Sequence, residues 1–297
     1  MYSFKNISVI MPTLYRENFL KTYHSLLKQS SKISEIVIVT ASKKKIIPKS
    51  KNTKIIYSKK ENQVYQRSLG LKYISKKTKI LLLLDDRVVL KKDAIKQLLN
   101  DWNKSSNNVA GIGLSCINYL PPKIHLINRL TLTNSKITAK VLKSGFASGY
   151  GSVKEKTSCD WLNGGMTSWR IDKVKKYLFK RNFPMLSWCV GEDLIFSYNI
   201  KKKYELLISS NAKCILLPKK ENLNNLDYFY KGFYHSYIIK SFVKNNNNRL
   251  SLLLFYYAAY SSSFFGIVKN ILTFNYKDSL RFLGRIVGSF SYYKKIS

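Results

Sequence analysis

The chain has 297 residues, 45% of them apolar, and a formal net charge of +36 at pH 7. At this length, such an apolar content excludes wholesale disorder and is sufficient for a hydrophobic core. The excess of 52 lysines and arginines over 16 aspartates and glutamates predicts attraction to polyanions, namely nucleic acid, an anionic membrane or phosphorylated substrates. Because the lysines occur in scattered pairs and triplets, a general compositional bias accounts for the charge equally well.

The cysteines and the N-terminus indicate the compartment. Cys116, Cys159, Cys189 and Cys214 form no CxxC pair and have no metal-finger spacing, which is typical of reduced thiols in a cytosolic protein. The first residues contain a short apolar run, but no signal-peptide core and no cleavage site of small residues. We therefore expect a protein that is not secreted through its N-terminus.

The first third of the chain alternates between strand and helix patterns. Short apolar runs predict strands, and apolar residues at helical spacing predict helices. In chain order the predicted elements are strand 7–12, helix 16–30, strands 35–40 and 53–58, helix 61–75, strand 79–84 and helix 93–102. This alternation predicts βαβ units in an α/β domain with a Rossmann-like, mostly parallel sheet.

An acidic doublet, Asp85 and Asp86, directly follows the apolar run "ILLLL". Since that run shows no polar alternation, we expect a strand covered on both faces. Open α/β sheets bind ligands at the carboxyl ends of their strands, so the doublet is a candidate ligand site. The alternative is a turn, or an N-cap for the helix that begins near Asp93.

A pair of glycines and a second acidic doublet follow in the middle of the chain. Gly164 and Gly165 either let the backbone approach a ligand closely or mark a bulge. Glu192 and Asp193 open a predicted helix, where the helix dipole alone explains two acids, and where a general base facing a pocket fits equally well. The other expected elements are loops and strands over 109–151, a short helix at 171–179, and closing strands at 204–209 and 212–218.

The last 79 residues differ from the rest in being aromatic and basic. Residues 225–249 read as an aromatic helix ending in an asparagine loop, and Leu250 to Val268 contain no charged residue. Such a run is long enough to span a bilayer, although its serines and tyrosines lower its hydrophobicity. Membrane-surface helices, core packing and a true span all stay open, and the basic flanks with Tyr and Phe favour an anionic membrane surface. We therefore predict two regions, 1–218 and 219–297.

Five motifs in order resemble one known family. They are "SVIMPTLYREN", "QRSLGL", "LLLDDRV", "DWLNGGMTSWR" and "GEDLIFSYNIKKKY". This order over residues 7–218 resembles the family 2 inverting glycosyltransferases of the GT-A fold, and most of all the rhamnosyltransferase-like members. The resemblance implies a transferase that moves a sugar from a nucleotide donor to a lipid-linked or cell-surface glycan. Related transferases often carry a tail of this kind.

The resemblance also implies a role for each motif residue. Asp193 would be the base that deprotonates the acceptor hydroxyl, and Glu192 would hold the acceptor. Asp86, with Asp85 as the alternative, would hold a divalent cation, Mg²⁺ or Mn²⁺. The residues implied to bind the donor are Pro12, Thr13, Arg16, Arg67, Asp85, Asp86 and Arg87. Those implied to shape the acceptor and sugar pocket are Asp160, Trp161, Gly164 and Gly165.

Three departures from the family pattern affect these expectations. Thr40 and Ala41 stand where many members have an acid that reads the nucleotide base, and "LLP" stands where a histidine often follows the last strand. Arg87 stands where a third acid often completes the metal motif. It either replaces part of the cation's charge by pairing with phosphate, or marks lost catalysis, or leaves Asp86 alone to carry the ion. The expected location is the cytoplasm, at the inner face of the cell membrane. The competing hypotheses are a non-catalytic polyanion or nucleic-acid binder and a degenerate transferase. A specific nucleic-acid partner is not expected, because no RNP, helix-turn-helix or zinc motif is present.

Overall fold

The structure is a computed structural model that describes residues 1–15, 17–30, 33–43, 50–119, 125–178, 191–218 and 223–291. The chain groups into two compact units. The first unit comprises residues 1–121 and 150–219, and the second comprises residues 122–149 and 220–297.

A nine-stranded mixed sheet organises the first unit. Its strands are β1 (Ile7–Thr13), β2 (Glu35–Thr40), β3 (Thr53–Tyr57), β4 (Ile80–Leu84), β5 (Val88–Leu90), β6 (Val109–Cys116), β7 (Thr157–Ser158), β8 (Met166–Arg170) and β9 (Glu205–Leu216). They lie in the order β3-β2-β1-β4-β8-β6-β9-β5, with β7 beside β9. Strands β1 to β4 pair in parallel, whereas β8 runs antiparallel to both β4 and β6. The predicted α/β architecture is confirmed.

Helices of the first unit cover this sheet. They are α1 (Phe19–Leu27), α2 (Gln63–Gly70), α3 (Ala94–Lys104), α5 (Ile171–Val174) and α6 (Glu192–Lys201). The run "ILLLL" of β4 is fully buried, as expected for a strand covered on both faces. Cys116, Cys159 and Cys214 are buried free thiols, and Cys189 lies outside the described residues.

The closing strand differs from the sequence prediction. Two strands were expected at 204–209 and 212–218, but the structure has the single strand β9 with an irregularity in its middle. There the hydroxyl of Ser209 accepts hydrogen bonds from the backbone N–H groups of Asn211 and Ala212 and donates one to Asp101. Because Ser209 satisfies these groups, the polar stretch that resembles a turn is accommodated as a bulge.

Four helices form most of the second unit. They are α4 (Leu126–Leu130), α7 (Asn225–Lys244), α8 (Leu252–Leu272) and α9 (Tyr276–Phe290). Among the helices of the described ranges, none is long and apolar enough to cross a membrane.

Residues 122–149 join the C-terminal helices, although the sequence analysis placed them with the first region. The Phe146 ring stacks on Phe255 of α8, with centroids 6.2 Å apart. The carbonyl of Lys143 accepts a hydrogen bond from the N–H of Ser251, which begins α8. These contacts connect positions more than 100 residues apart, which no local pattern reveals. The division after residue 218 stays a prediction.

Helices α7 and α9 pack with their backbones in close contact. A Cβ atom on Gly232 of α7 would overlap the carbonyl of Arg281, and a Cβ atom on Gly284 of α9 would overlap the carbonyl of Phe229. At the other end of α9, the buried ammonium of Lys240 donates to the carbonyls of Ser289 and Ser291. Small residues therefore set the distance between these helices, and a lysine satisfies the last carbonyls of α9.

We expect Gly284→Ala to lower the free energy of unfolding by about 1 to 3 kcal/mol, because the added methyl group must push the two backbones apart. Urea denaturation of the full chain measures this. Lys277→Ala, at an exposed position on α9, is the control and should change stability little. A stable Gly284→Ala variant would show that the two helices are further apart than described.

Candidate active site

The first acidic doublet lies where β4 ends. The carboxylate of Asp85 accepts a hydrogen bond from Arg67 Nη2 at 2.8 Å and another from Gln63 Nε2. Gln63 and Arg67 are one helical turn apart on α2. Asn62 caps the start of this helix, since its side chain accepts a hydrogen bond from the N–H of Tyr65. The same face of α2 therefore holds Asp85 through two donors.

Asp86, the second acid of this doublet, contacts the end of the neighbouring strand β1. Its Oδ2 accepts a hydrogen bond of 2.7 Å from the hydroxyl of Thr13, the last residue of β1. That hydroxyl accepts a hydrogen bond in turn from the N–H of Tyr15. Pro12 lies in the part of β1 that extends beyond its pairing with β4, where a missing N–H is tolerated. Asp85 and Asp86 are thus held by different elements.

The paired glycines bring a third segment to this strand end. The carbonyl of Gly165 accepts a hydrogen bond of 2.8 Å from the N–H of Asp85, and a Cβ atom on Gly165 would overlap the Asp85 carboxylate. A Cβ atom on Gly164 would lie 2.9 Å from Arg67 Nη1. Only residues without side chains allow this approach. In the structure the glycine pair closely approaches an acidic and a basic side chain of the protein itself.

The second doublet opens α6 next to the glycine pair. Gly191 adopts a left-handed conformation, with φ of 78°, and Glu192 and Asp193 follow it in the first turn. Asp193 Oδ2 accepts a hydrogen bond of 3.2 Å from the N–H of Gly164, and its Oδ1 accepts one from the N–H of Leu194. Glu192 Oε1 lies 3.6 Å from Arg67 Nη1. The two acidic doublets therefore meet at Arg67.

Arg67 is the central residue of this cluster. Its side chain is only 2% exposed, and it lies between Asp85 and Glu192. Burial disfavours the charged guanidinium, but Asp85 and then Glu192 outweigh burial and raise the pKa of Arg67. The resemblance implied a direct contact between Arg67 and the donor. The structure shows Arg67 connecting the two acidic doublets.

Burial also shifts the acids of the second doublet. The pKa of Glu192 is raised to about 8, first by burial and then by the charge of Asp193. The pKa of Asp193 is raised as well, chiefly by burial, although the N–H of Gly164 opposes this shift. At neutral pH Glu192 therefore holds a proton. Asp193 is held by two backbone N–H groups, and its raised pKa makes it a stronger proton acceptor than an ordinary aspartate.

Other expected site residues have varied outcomes. Arg87 Nη1 donates to the carbonyl of Leu217 at 3.1 Å, which ties it to the end of β9. Asp160 and Trp161 directly precede the glycine turn, and the ring of Trp161 contacts Tyr150 edge-on at 6.0 Å. Arg16 lies outside the described residues. The sequence analysis did not identify Gln63, although its position four residues before Arg67 on a helix was a usable signal.

The donor set for a cation is limited. In the part of the chain that the structure describes, no three side chains of His, Cys, Asp or Glu could together hold a metal ion. Asp85 is engaged by Arg67 and Gln63, and Asp86 accepts a hydrogen bond from the hydroxyl of Thr13. A single carboxylate fits a Mg²⁺ or Mn²⁺ ion that takes its other ligands from substrate phosphates and water. The family resemblance assigns this role to Asp86, with Asp85 as the alternative.

Comparison with known families gives a clear result for the first half of the chain. Residues 8–152 match the model of the glycosyl transferase family 2. This segment is similar to the family 2 glycosyltransferases. The matched segment includes Thr13, Arg67 and the doublet Asp85–Asp86, whereas Gly164, Gly165 and the doublet Glu192–Asp193 follow it. The assignment of this later part to the site therefore depends on the geometry described above. No curated protein matches the sequence.

Solved glycosyltransferases have the same fold. The chain is similar to the mannosyltransferase PcManGT from Pyrobaculum calidifontis, in complex with GDP-Man and Mn²⁺, with 11% identity, a TM-score of 0.56, and coverage of 96% of this chain and 86% of that one. It is also similar to GalNAc-T7 with UDP, GalNAc and Mn²⁺, with 14% identity, a TM-score of 0.55 and coverage of 80% of this chain. It spans half the length of GalNAc-T7. These similarities confirm the GT-A fold.

We expect the protein to lose stability relative to its Glu192→Gln variant as the pH rises from 4.5 to about 8. The ordinary pKa of the carboxyl group is 4.5, and its pKa in the folded chain is about 8. The folded chain therefore binds more protons across this interval, so that rising pH favours unfolding. The glutamine cannot ionise and does not respond.

Urea denaturation at several pH values measures this difference. Glu155→Gln, at an exposed position of the same unit, is the control and should follow the wild type. Parallel stability curves for the wild type and Glu192→Gln would contradict the protonation of Glu192 at neutral pH.

Proposed function

We propose that the protein transfers a hexosyl or deoxyhexosyl group from a nucleoside-diphosphate sugar to a hydroxyl of a lipid-linked or cell-surface glycan, with inversion at the anomeric carbon. One observation carries the proposal: buried Arg67 contacts both acidic doublets, so that a base on α6 lies beside the acidic end of β4. Rhamnosyltransferase-like specificity is part of the proposal. It is supported by the motif order in the sequence.

In this proposal the donor binds at the ends of β1 and β4. Thr13 and Asp86 are hydrogen-bonded to each other there, with Arg87 as the next residue. Asp86 would hold Mg²⁺ or Mn²⁺, and the ion, when bound, neutralises charge on the diphosphate leaving group. The Mn²⁺ in the mannosyltransferase and GalNAc-T7 structures supports a divalent cation here. Arg87 retains further N–H groups that can donate to phosphate oxygens.

The chemical step needs one base. Asp193 takes the proton of the acceptor hydroxyl, and the acceptor oxygen forms a bond to the anomeric carbon. The bond from this carbon to the diphosphate oxygen breaks, and the nucleoside diphosphate leaves with the electron pair. A single displacement of this kind inverts the anomeric centre. The N–H groups of Gly164 and Leu194 fix the Asp193 carboxylate, and this favours transfer geometry over free rotation.

Glu192 has a separate task in this proposal. Since burial and Asp193 raise its pKa to about 8, it is a hydrogen-bond donor at neutral pH. A protonated carboxyl group can donate to a hydroxyl oxygen of the acceptor and orient it toward Asp193. Asp160 and Trp161, which lead into the glycine turn, would line the acceptor and sugar pocket.

The proposed location is the cytoplasm, peripheral at the inner face of the cell membrane. One observation supports it: the net charge of +36 favours an anionic leaflet. The lipid-linked acceptor proposed above would lie at the same surface.

We expect Asp193→Asn to reduce transfer roughly 100-fold or more while donor binding is kept, because only the proton acceptor is lost. A panel of nucleotide sugars, tested for thermal stabilisation with Mn²⁺, first identifies the donor. Transfer to a glycan acceptor is then compared for the wild type and the variant. Asp172→Asn, exposed on α5, is the control. Full transfer by Asp193→Asn would remove this residue from the mechanism, and a wild type that no nucleotide sugar stabilises would favour the polyanion binder.

We expect Asp86→Ala to weaken the stabilisation of the protein by the donor and to make it independent of Mn²⁺, because the cation loses the carboxylate proposed to hold it. Thermal shifts of both proteins with donor, in Mn²⁺ and in EDTA, give the result without measuring activity. A wild type that binds donor and transfers sugar equally well in EDTA would exclude the cation and leave Arg87 as the counter-charge of the diphosphate.

A further inference from the structure

Helix α9 has its apolar stripe on the outside. Its buried residues are Gly284, Arg285, Gly288 and Ser289. Five apolar or aromatic residues recur at helical spacing on the opposite side and are exposed or half-buried. This α9 stripe consists of Tyr276, Leu280, Leu283, Val287 and Phe290. In a helix of a soluble domain such a stripe normally faces the core. Here the core face consists of Arg285 and three small residues, and two of these, Gly284 and Gly288, lie in close contact with the backbone of α7.

The apolar surface continues around the turn between α8 and α9. The residues concerned, named here the apolar tip, are Val268, Ile271, Leu272, Phe274 and Tyr276. Leu272 is 75% exposed and Phe274 is 79% exposed. Phe274 has a positive φ of 54°, which turns the chain sharply between the two helices. Contiguous apolar surface of this kind marks an interaction site on an otherwise soluble protein.

A shallow pocket lies where the apolar tip meets the α9 stripe. Its volume is about 460 Å³. Phe274, Tyr276 and Leu280 line its apolar part, and its polar part is formed by Asn225, Asn275 and Lys277. Aromatic rings beside amide and ammonium donors suit the boundary between the phosphate groups and the acyl chains of a membrane.

The charge around this surface has one sign. Residues 125–149 and 223–291 of the second unit contain twelve lysines and arginines against two aspartates. Lys269, Lys277 and Arg281 are exposed on α8 and α9 within a few residues of the apolar tip. Both aspartates bind polar groups of their own helix starts, Asp227 at Asn224 and Asp278 at Asn275. The surface is therefore apolar with a cationic surround.

We propose that the apolar tip and the α9 stripe form a membrane-docking surface that inserts into an anionic phospholipid leaflet, with Lys269, Lys277 and Arg281 at the level of the phosphate groups. The inference deepens the membrane location proposed above and does not depend on the transfer chemistry. Charge complementarity selects the occupant. A second copy of this chain would bring the same cationic surround into contact with itself, and a nucleic acid would leave the apolar residues in water.

The test uses the full chain and vesicles of phosphatidylcholine with or without phosphatidylglycerol. Co-sedimentation is measured over a series of salt concentrations. The tip variant Leu272→Ser/Phe274→Asn removes two exposed apolar side chains, and asparagine tolerates the positive φ at residue 274. Its control is Ile137→Ser, an exposed apolar position in the same unit. The charge variant Lys277→Glu has Lys136→Glu as its control, which makes the same change of charge elsewhere in the unit.

We expect the wild type to bind anionic vesicles, and a fraction of this binding should persist at high salt. The tip variant should bind these vesicles at least about tenfold more weakly than the wild type, and it should lose most of the binding that persists at high salt. Lys277→Glu should weaken binding at low salt alone, and both controls should bind as the wild type does.

Three outcomes would overturn the proposal: a tip variant that binds as well as the wild type, wild-type binding that vanishes entirely at high salt, or wild-type dimers that the tip variant abolishes. The proposed transfer function is judged separately. Donor stabilisation without vesicles should persist in the tip variant, and Asp193→Asn should still bind vesicles.

Discussion

The buried guanidinium of Arg67 is the interaction on which the candidate site depends. A charged side chain that is 2% exposed is stable only if charged or polar groups compensate it, and Asp85 and Glu192 are in contact with it. This requirement links three parts of the chain: helix α2, the end of β4 and the start of α6. The same residue lies between Asp85 and Glu192, and its positive charge lowers the cost of burying carboxyl groups of both doublets in one place.

Further consequences follow for the backbone. The segment before β8 can approach Asp85 and Arg67 only because residues 164 and 165 have no side chains. The antiparallel course of β8 between β4 and β6 delivers this segment to the strand end. The N–H of Gly164 then fixes the carboxylate of Asp193. Sheet order, glycine pair and acidic doublet thus form one arrangement, and a change in any of them moves the proton acceptor.

The second unit follows a different physical rule. Glycines on α7 and α9 bring the backbones of these helices into close contact. The apolar residues of the α9 stripe lie on the other side of α9, at the surface. The second unit therefore combines a close glycine contact with an exposed apolar surface that has a cationic surround.

The sequence alone determined the local features of this protein. Apolar runs and helical spacing predicted β1 to β4, α1 to α3 and α7 within a few residues, since these patterns depend on neighbouring residues only. The family resemblance and the two acidic doublets were also visible there. Tertiary structure decided the partners. That Arg67 joins both doublets, that Gly165 contacts Asp85 and that residues 122–149 pack on α8 all depend on contacts between distant segments. Periodicity also cannot reveal the outward stripe of α9, because it shows that a helix has an apolar face but not which neighbour covers the opposite one.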